Sequence, residues 1–182
     1  MQTSTEKSTH STVHKNSTSQ SPLIEMEHSF NVPVDQLFKA FKTSDALKAW
    51  WWPKGLYADR VDIDFRKGGK YFINMKGSNQ GGGDGMTGLF EEIIENERIV
   101  LTDQFADKNG RAISAQEAQM PGDWPELGYI TFEFDSVDEK KSRILFTQEG
   151  IPAEMKKDCI QGWTEMFDKL EAYLGSRNVT NT

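Results

Sequence analysis

The sequence predicts an α+β fold in which an antiparallel sheet packs against one long C-terminal helix. Between residues 152 and 174, apolar residues recur every three or four positions, which is the spacing of one helix face. Most of the preceding chain alternates apolar and polar residues in short segments separated by turns, as antiparallel strands do. Two short helical segments follow the first of these strands. The predicted order is strand, two helices, six strands and a long helix.

The first strand is predicted over LIEMEHSF, residues 23–30, where apolar and polar side chains alternate. His28 falls on the core face, where a structural role is expected of it. Pro33 begins the first short helix, and the second is predicted to start with Ser44 as its N-cap. That helix ends at three adjacent tryptophans, residues 50–52. Their side chains must point in different directions, so at least one is predicted to lie near solvent or line an opening.

Six strands are predicted before the last helix. The first two form a hairpin that runs from Tyr57 through Phe65, turns at Lys67–Gly69 and returns from Tyr71. The other four are centred on the segments MTGLFEEII, IVLTDQF, GYITFEFDSV and SRILFTQEG. The glycine-rich loop GSNQGGGDG lacks the Lys-Ser or Lys-Thr ending of a phosphate-binding loop. It is therefore predicted to be a plain connection.

Residues 106–127 show neither the period of a helix nor that of a strand. An irregular connection of this length is usually functional or mobile when it lies inside a compact domain. Two interpretations stay open: the segment covers a cavity, or it is a surface connection with Trp124 packed beneath it.

The last helix carries a predicted start, a predicted end and a glycine in its middle. Pro152 suits the first turn because it has no N–H to lose, and Gly175 is predicted to end the helix. Gly162 costs about 1 kcal/mol relative to alanine in a helix interior. This turn is therefore expected to approach another backbone or to leave room beside Trp163.

The chain is predicted to consist of one domain and two tails. Residues 1–22 are rich in Ser and Thr and have too little apolar surface to offset the entropy of ordering, so a disordered polar tail is predicted. Residues 23–175 form the domain, and residues 176–182 are predicted to be a disordered C-terminal tail. His10 and His14 would share a metal ion only in a helix, which the first tail does not favour. No metal and no cofactor are predicted.

Composition narrows the class of partner and the compartment. The 182 residues are 36% hydrophobic and 27% charged, which fits an ordinary soluble domain. The formal net charge of −7 argues against nucleic acid, which requires clustered cations. No apolar run is long enough to span a membrane, and none follows the first Met as in an export signal. With Cys159 as the single cysteine, no internal disulfide is possible, and a cytoplasmic location is predicted.

Four stretches carry a resemblance to a known family: DALKAWWWP, DIDFRKGGKYFINM, GLFEEIIENERIVLTDQF and FTQEGIPAEMKKDCIQGWTEMFDKLEAYL. Together with the order of elements, they resemble the helix-grip fold of the START-like (SRPBCC) superfamily. The chain is most similar to single-domain proteins that resemble the C-terminal domain of the activator of Hsp90 ATPase. The resemblance covers residues 24–174. It implies a curved antiparallel sheet wrapped around the terminal helix, with two short helices after the first strand.

The resemblance also implies a hydrophobic cavity between sheet and helix that holds a small apolar molecule. Nine residues are predicted to line it: Trp50, Tyr57, Phe65, Phe90, Phe105, Trp124, Cys159, Trp163 and Met166. The alternative is that these side chains fill the core, because protein interiors normally pack without large voids. The sequence leaves both interpretations open.

The predicted function is ligand binding without catalysis. The groups available as acid, base or nucleophile are His28, Cys159, Asp62, Asp64 and Glu92, and they form no spaced constellation. An enzyme of the cyclase or dehydratase kind is therefore the third hypothesis. The second is a chaperone-linked stress-response role with a chaperone as partner. The eukaryotic activator has a separate N-terminal domain where this sequence has only its polar tail, so activation of the ATPase is not expected.

Overall fold

The computed structural model describes residues 23–77 and 81–178. Its elements are, in chain order, β1 (Leu23–Phe30), α1 (Val34–Lys39), α2 (Ser44–Trp50), β2 (Leu56–Tyr57), β3 (Val61–Ile63), β4 (Lys70–Asn74), β5 (Lys76–Gly77), β6 (Gly85–Ile94), β7 (Arg98–Ala106), β8 (Ala112–Ile113), β9 (Gly128–Asp138), β10 (Lys141–Glu149), a 3-10 turn (Ala153–Met155) and α3 (Lys156–Asn178). The predicted N-terminal tail and its two histidines lie outside the described residues, as do residues 179–182.

The main sheet has the strand order β1-β10-β9-β7-β6-β4-β3, with β8 attached to β7. All of its strand pairs are antiparallel. The alternation predicted for β1 is present, since Glu25, Glu27 and Ser29 are exposed while the residues between them are partly or fully buried. The predicted helix-grip architecture, with two short helices after the first strand, is confirmed.

The apolar face of α3 packs on one face of this sheet. Its buried residues are Trp163, Met166, Phe167, Leu170 and Leu174. The ring of Trp163 lies 4.3 Å from that of Phe146 on β10 and 5.8 Å from that of Phe132 on β9, measured between centroids. Phe132 and Phe146 are register partners, so one pair of neighbouring strands supports the helix at this point.

Three short strands, β2, β5 and β8, were not predicted. The predicted strand is interrupted between β2 and β3. There the side-chain oxygen of Asn74 accepts the backbone N–H groups of Asp59 and Arg60, at 3.1 and 2.9 Å, in place of strand pairing. Tyr57 therefore pairs with Lys76 in the separate β2-β5 ladder. The Tyr57 side chain is 52% exposed. The hairpin predicted to begin at Tyr57 begins instead at β3, which pairs with β4. Sequence periodicity cannot detect pairings of two residues.

Two predicted helix boundaries, the start of α2 and the end of α3, differ from the observed ones by one or a few residues. Thr43, rather than Ser44, caps α2, and its hydroxyl accepts the N–H of Ala46 at 3.2 Å. Gly175 does not end α3, which continues to Asn178. The last turn is held by Arg177, whose guanidinium lies over the Tyr173 ring and donates to its hydroxyl at 2.9 Å. Residues 176–178 thus belong to the helix and not to a tail.

Replacing Trp163 with alanine is expected to lower the free energy of unfolding by about 3–5 kcal/mol, as for large buried aromatic side chains. The substitution removes the four ring contacts with Trp51, Phe132, Phe146 and Phe167 and leaves Gln148 without its indole donor. Urea titration would measure the change. Lys157→Ala, on the exposed side of the same helix, is the control and should change stability by less than about 0.5 kcal/mol. Equal effects from the two variants would contradict the assigned helix face.

Candidate functional site

An open cavity of about 760 Å³ lies between α3, the β7, β9 and β10 strands and the irregular segment 107–127. The helix contributes Cys159, Gly162, Trp163 and Met166. A Cβ on Gly162 would stand 3.2 Å from Pro53, so this glycine allows the Pro53 ring to approach the helix closely. The close neighbour of Gly162 is thus a side chain and not the backbone that the sequence analysis expected.

Indole rings form much of the wall. The Trp51 ring stands edge-on to that of Trp163, with centroids 5.6 Å apart. The indole N–H of Trp51 points to the Met86 sulfur at 3.2 Å, which orients the ring. Trp52 also lines the cavity, and its indole donates to the Asn74 carbonyl at 2.6 Å. Two of the three adjacent tryptophans thus line an opening, as the sequence predicted of at least one.

The segment 107–127 forms the wall opposite these tryptophans. Ile113, Met120 and Trp124 all line the cavity. Trp124 stands edge-on to Phe105 of β7 at 5.2 Å, and its indole donates to the Pro121 carbonyl at 2.8 Å. Of the two interpretations that the sequence left open, covering of a cavity is the one supported by these contacts.

A chain of three polar groups crosses the inner end of the cavity. The Trp163 indole donates to the Gln148 carbonyl oxygen at 2.8 Å. The Gln148 amide in turn donates to an Asp103 carboxylate oxygen at 2.9 Å. Because an indole can only donate, the Gln148 amide must turn its NH₂ group toward Asp103. All three residues line the cavity, and within the described residues Gln148 is the hydrogen-bond partner of this carboxylate.

Burial sets the protonation of this region. It raises the pKa of Asp103 to about 6, against the smaller opposing effect of the Gln148 hydrogen bond. Burial, together with the nearby carboxylates of Asp103 and Asp158, raises the pKa of Cys159 to about 11. The pKa of Tyr71 is also raised, first by burial and then by Asp103. At neutral pH the cavity therefore holds a neutral thiol beside a carboxylate that is largely ionised.

The structure brings together five of the nine residues predicted to line the cavity: Phe105, Trp124, Cys159, Trp163 and Met166. Trp50, Tyr57, Phe65 and Phe90 lie elsewhere. Trp50 is fully buried on the far side of the helix end, where its indole donates to the Ala40 carbonyl at 3.0 Å. Trp51, one residue later, takes the position predicted for Trp50, because Trp51 leaves the helix in an extended conformation.

Phe65 and Phe90 belong to the filled part of the core. Their rings lie 5.2 Å apart, and Phe65 also stands edge-on to Phe38 of α1 at 5.9 Å. Phe90 sits at the bulge where β6 shifts its register against β7. Phe38 of the first short helix therefore packs on Phe65, Phe65 packs on Phe90, and the cavity lies toward the other end of the sheet.

Sequence analysis missed Asp103 and Gln148. Both could have been found by strand parity, because Asp103 shares the inward phase of Leu101 on β7 and Gln148 that of Phe146 on β10. A polar residue in an apolar phase is the informative exception to a strand pattern. Trp51 and Met86 could not have been found this way, because their positions depend on a helix end and a sheet register.

Most of the groups considered for catalysis lie outside the cavity. Asp62 pairs with Arg60 at 2.6 Å, Asp64 pairs with Arg66 at 2.8 Å, and all of these side chains are exposed. Glu92 is ion-paired with Arg98 on the sheet surface. His28 Nε2 lies 3.3 Å from the Glu171 carboxylate, with Asp168 close to both. Only Cys159 among the five candidates lines the cavity.

Comparison with known proteins places residues 31–175 in a family model described as Activator of Hsp90 ATPase homolog 1-like protein. No curated protein matches the chain. Among solved structures, the AHSA1 protein from Silicibacter pomeroyi is 21% identical with a TM-score of 0.66, covering 86% of this chain and 99% of its own. Protein CV1439 from Chromobacterium violaceum is 24% identical with a TM-score of 0.65, covering 83% and 96%. These structural similarities show the fold.

The solution structure of a protein from Arthrobacter aurescens is also similar: it is 18% identical with a TM-score of 0.68, covering 85% of this chain and 86% of its own.

None of the helices within residues 23–77 and 81–178 combines the length and the apolar composition needed to cross a bilayer.

The free energy of unfolding of Asp103→Asn, relative to that of wild type, is expected to be higher at neutral pH than at acid pH. The folded pKa of about 6 exceeds the unfolded value of 3.8, so the folded state retains a proton that the unfolded state has lost. The contribution of Asp103 to stability is therefore complete below about pH 4 and is lost as the pH rises to about 6. The variant does not titrate, so its stability relative to wild type should rise by about 1–3 kcal/mol between pH 4 and pH 7.

Urea titrations at the two pH values would measure this difference, with Asp168→Asn on the exposed face of α3 as the control. The asparagine introduced at position 103 would still accept the hydrogen bond from Gln148, so the substitution preserves the local geometry. The same pH dependence in wild type and Asp103→Asn would contradict a buried, destabilised carboxylate.

Proposed function

This chain belongs to the Activator of Hsp90 ATPase homolog 1-like family, and we propose that it is a non-catalytic domain that binds one small apolar molecule. The binding site is the cavity between α3, the sheet and the segment 107–127. The proposal includes Phe105, Trp124, Cys159, Trp163 and Met166 as contact residues. Trp51 joins them in place of Trp50.

The open cavity is the observation that carries this proposal. Protein interiors normally pack to crystal-like density and leave few voids larger than a water molecule. Here about 760 Å³ stays open beside the aromatic core, and ligand sites typically measure about 300–1,000 Å³. A domain that needed only stability would gain by closing this space with larger side chains.

The lining favours a flat apolar ligand. Indole and phenyl rings at Trp51, Trp163, Phe105 and Trp124 present broad apolar surfaces held in place by ring contacts and hydrogen bonds. Aromatic walls fixed in this way bind planar molecules with little loss of side-chain entropy. The polar chain from Trp163 to Asp103 at the inner end can fix the orientation of the ligand.

The chemistry of the cavity favours binding over turnover. With its pKa raised to about 11, the Cys159 thiol is almost entirely protonated at neutral pH and is a poor nucleophile. The described partner of Asp103 is the Gln148 amide, which cannot exchange protons as an acid or a base. A cyclase or dehydratase would need a second positioned titratable group. A cytoplasmic location and a link to stress remain predictions.

A chaperone-linked role is the second candidate, and the description of the matching family favours it. On this hypothesis the domain contacts Hsp90 through its surface and not through the cavity. The two functions are separable, because the first depends on residues that line the cavity and the second does not.

Flat apolar compounds are expected to bind wild-type protein with micromolar affinity, and Cys159→Trp should weaken that binding at least tenfold. The larger side chain would occupy the space beside α3 into which the thiol faces. Calorimetric titration measures the affinity, and circular dichroism checks the fold. Lys157→Trp, which adds the same indole on the exposed side of the helix, is the matched control and should bind normally. Absence of binding, or equal affinity in the two variants, would favour a cavity that holds no ligand.

Weak or no stimulation of the Hsp90 ATPase is expected when this protein is added. The cavity, which is the feature that supports the first proposal, offers no surface to a large partner. Steady-state ATPase rates would be measured against increasing protein, with serum albumin as the control for crowding. Stimulation that saturates with concentration, and that persists in Cys159→Trp, would move the chaperone hypothesis to first place.

A further inference from the structure

The cavity carries an excess of negative charge. Among the described residues that line it, the ionisable side chains other than Cys159 are Asp103, Glu117, Glu126, Glu149, Asp158 and Lys54. The lining therefore contains five carboxylates and one ammonium group. Apart from Asp103, these groups are exposed and stand toward the mouth, where solvent and salt weaken their effect. An acidic mouth still favours the entry of a cation over that of an anion.

Asp103 differs from the four exposed carboxylates because it is half-buried and hydrogen-bonded to the buried Gln148. One of its oxygens accepts the Gln148 amide at 2.9 Å, and no cation is paired with it among the described residues. Burial of a carboxylate without a cation costs folding free energy, which is the physical cause of its raised pKa. A side chain that costs stability and faces an open cavity is a candidate for ligand recognition.

We propose that the ligand of this cavity carries a protonated amine on a flat apolar body, and that the amine binds the carboxylate of Asp103. This inference rests on the proposed function, since it names the chemical class of the molecule bound at that site. The apolar body lies against the indole walls of Trp51, Trp124 and Trp163, while the ammonium group donates hydrogen bonds to Asp103 at the inner end.

The energetics favour this pairing because the carboxylate of Asp103 is half-buried and therefore already partly desolvated in the free protein. An ion pair formed in an apolar site usually loses much of its Coulomb energy to the desolvation of both partners. Here part of the cost of removing Asp103 from water is borne by folding, so binding requires less further desolvation of the carboxylate. Indole rings around the cavity add a further attraction for a cation.

The orientation of Gln148 also favours a donor on the ligand. The indole of Trp163 holds the Gln148 carbonyl oxygen, which obliges its amide N–H to face Asp103. The amide fixes the carboxylate at one oxygen and leaves it able to accept further hydrogen bonds from the cavity side. A ligand carboxylate would instead be repelled by Asp103, because both groups are negatively charged and neither would gain a cationic partner.

Three pyrene derivatives with the same apolar body test the proposal at about pH 7.5: pyrenemethylamine, pyrenemethanol and pyrenecarboxylic acid. Isothermal titration calorimetry measures the dissociation constant of each with the full chain. We expect the amine to bind wild-type protein about 10- to 100-fold tighter than the alcohol, the usual advantage of a charge-assisted hydrogen bond. The acid should bind more weakly than the alcohol. These ratios are obtained with wild-type protein and require no variant.

Asp103→Asn should remove most of the amine's advantage over the alcohol, and the ratio of the two dissociation constants is the quantity that decides. Asp168→Asn changes the net charge equally but lies outside the cavity, so it should retain the advantage. Equal binding of amine and alcohol to wild type, or an advantage that survives in Asp103→Asn, would overturn this inference and leave the proposed function intact. If none of the three compounds binds wild type, the proposed function fails as well.

Discussion

The packing of one face of α3 on the sheet is the constraint on which the rest of this structure depends. The Trp163 ring contacts those of Phe132 and Phe146 from two neighbouring strands, and the Phe167 ring contacts those of Phe146 and Trp163, at centroid distances of 4.3–5.8 Å. Because the sheet is antiparallel and one face of it is apolar, it can bury this helix only on that face. The helix position then determines which inward-facing strand residues are covered and which border open space.

Trp163 joins the packed core to the candidate site. One side of its ring system contributes to the aromatic cluster, while its N–H begins the hydrogen-bonded chain through Gln148 to Asp103. The same residue therefore stabilises the fold and orients the polar end of the cavity. This dual role explains why a carboxylate can be held in place at the inner end of an apolar cavity, where a mobile one would turn toward water.

The aromatic residues divide into two groups with different roles. Phe38, Phe41, Trp50 and Phe134 pack edge-on beneath the two short helices and fill the core there. Trp51, Trp124 and Phe105 stand toward the other end of the sheet and border the cavity. Family membership is consistent with this arrangement, but a fold hosts many functions, so the function must be argued from the chemistry of the site. That chemistry is apolar walls, a neutral thiol and a buried carboxylate.

The sequence by itself determined the order of the main elements and the buried face of α3, because strand and helix periods are local properties of the chain. The resemblance to the family was carried separately, by four motif stretches. The sequence also contained the two polar residues of the site, as exceptions to the inward phases of β7 and β10. Only the tertiary structure decided that Trp51 and not Trp50 borders the cavity, that Tyr57 faces solvent, and that Phe65 and Phe90 pack on each other in the filled core. Each of these outcomes depends on a helix end, a two-residue ladder or a register shift. Such features are set by contacts between distant segments, which no local pattern records.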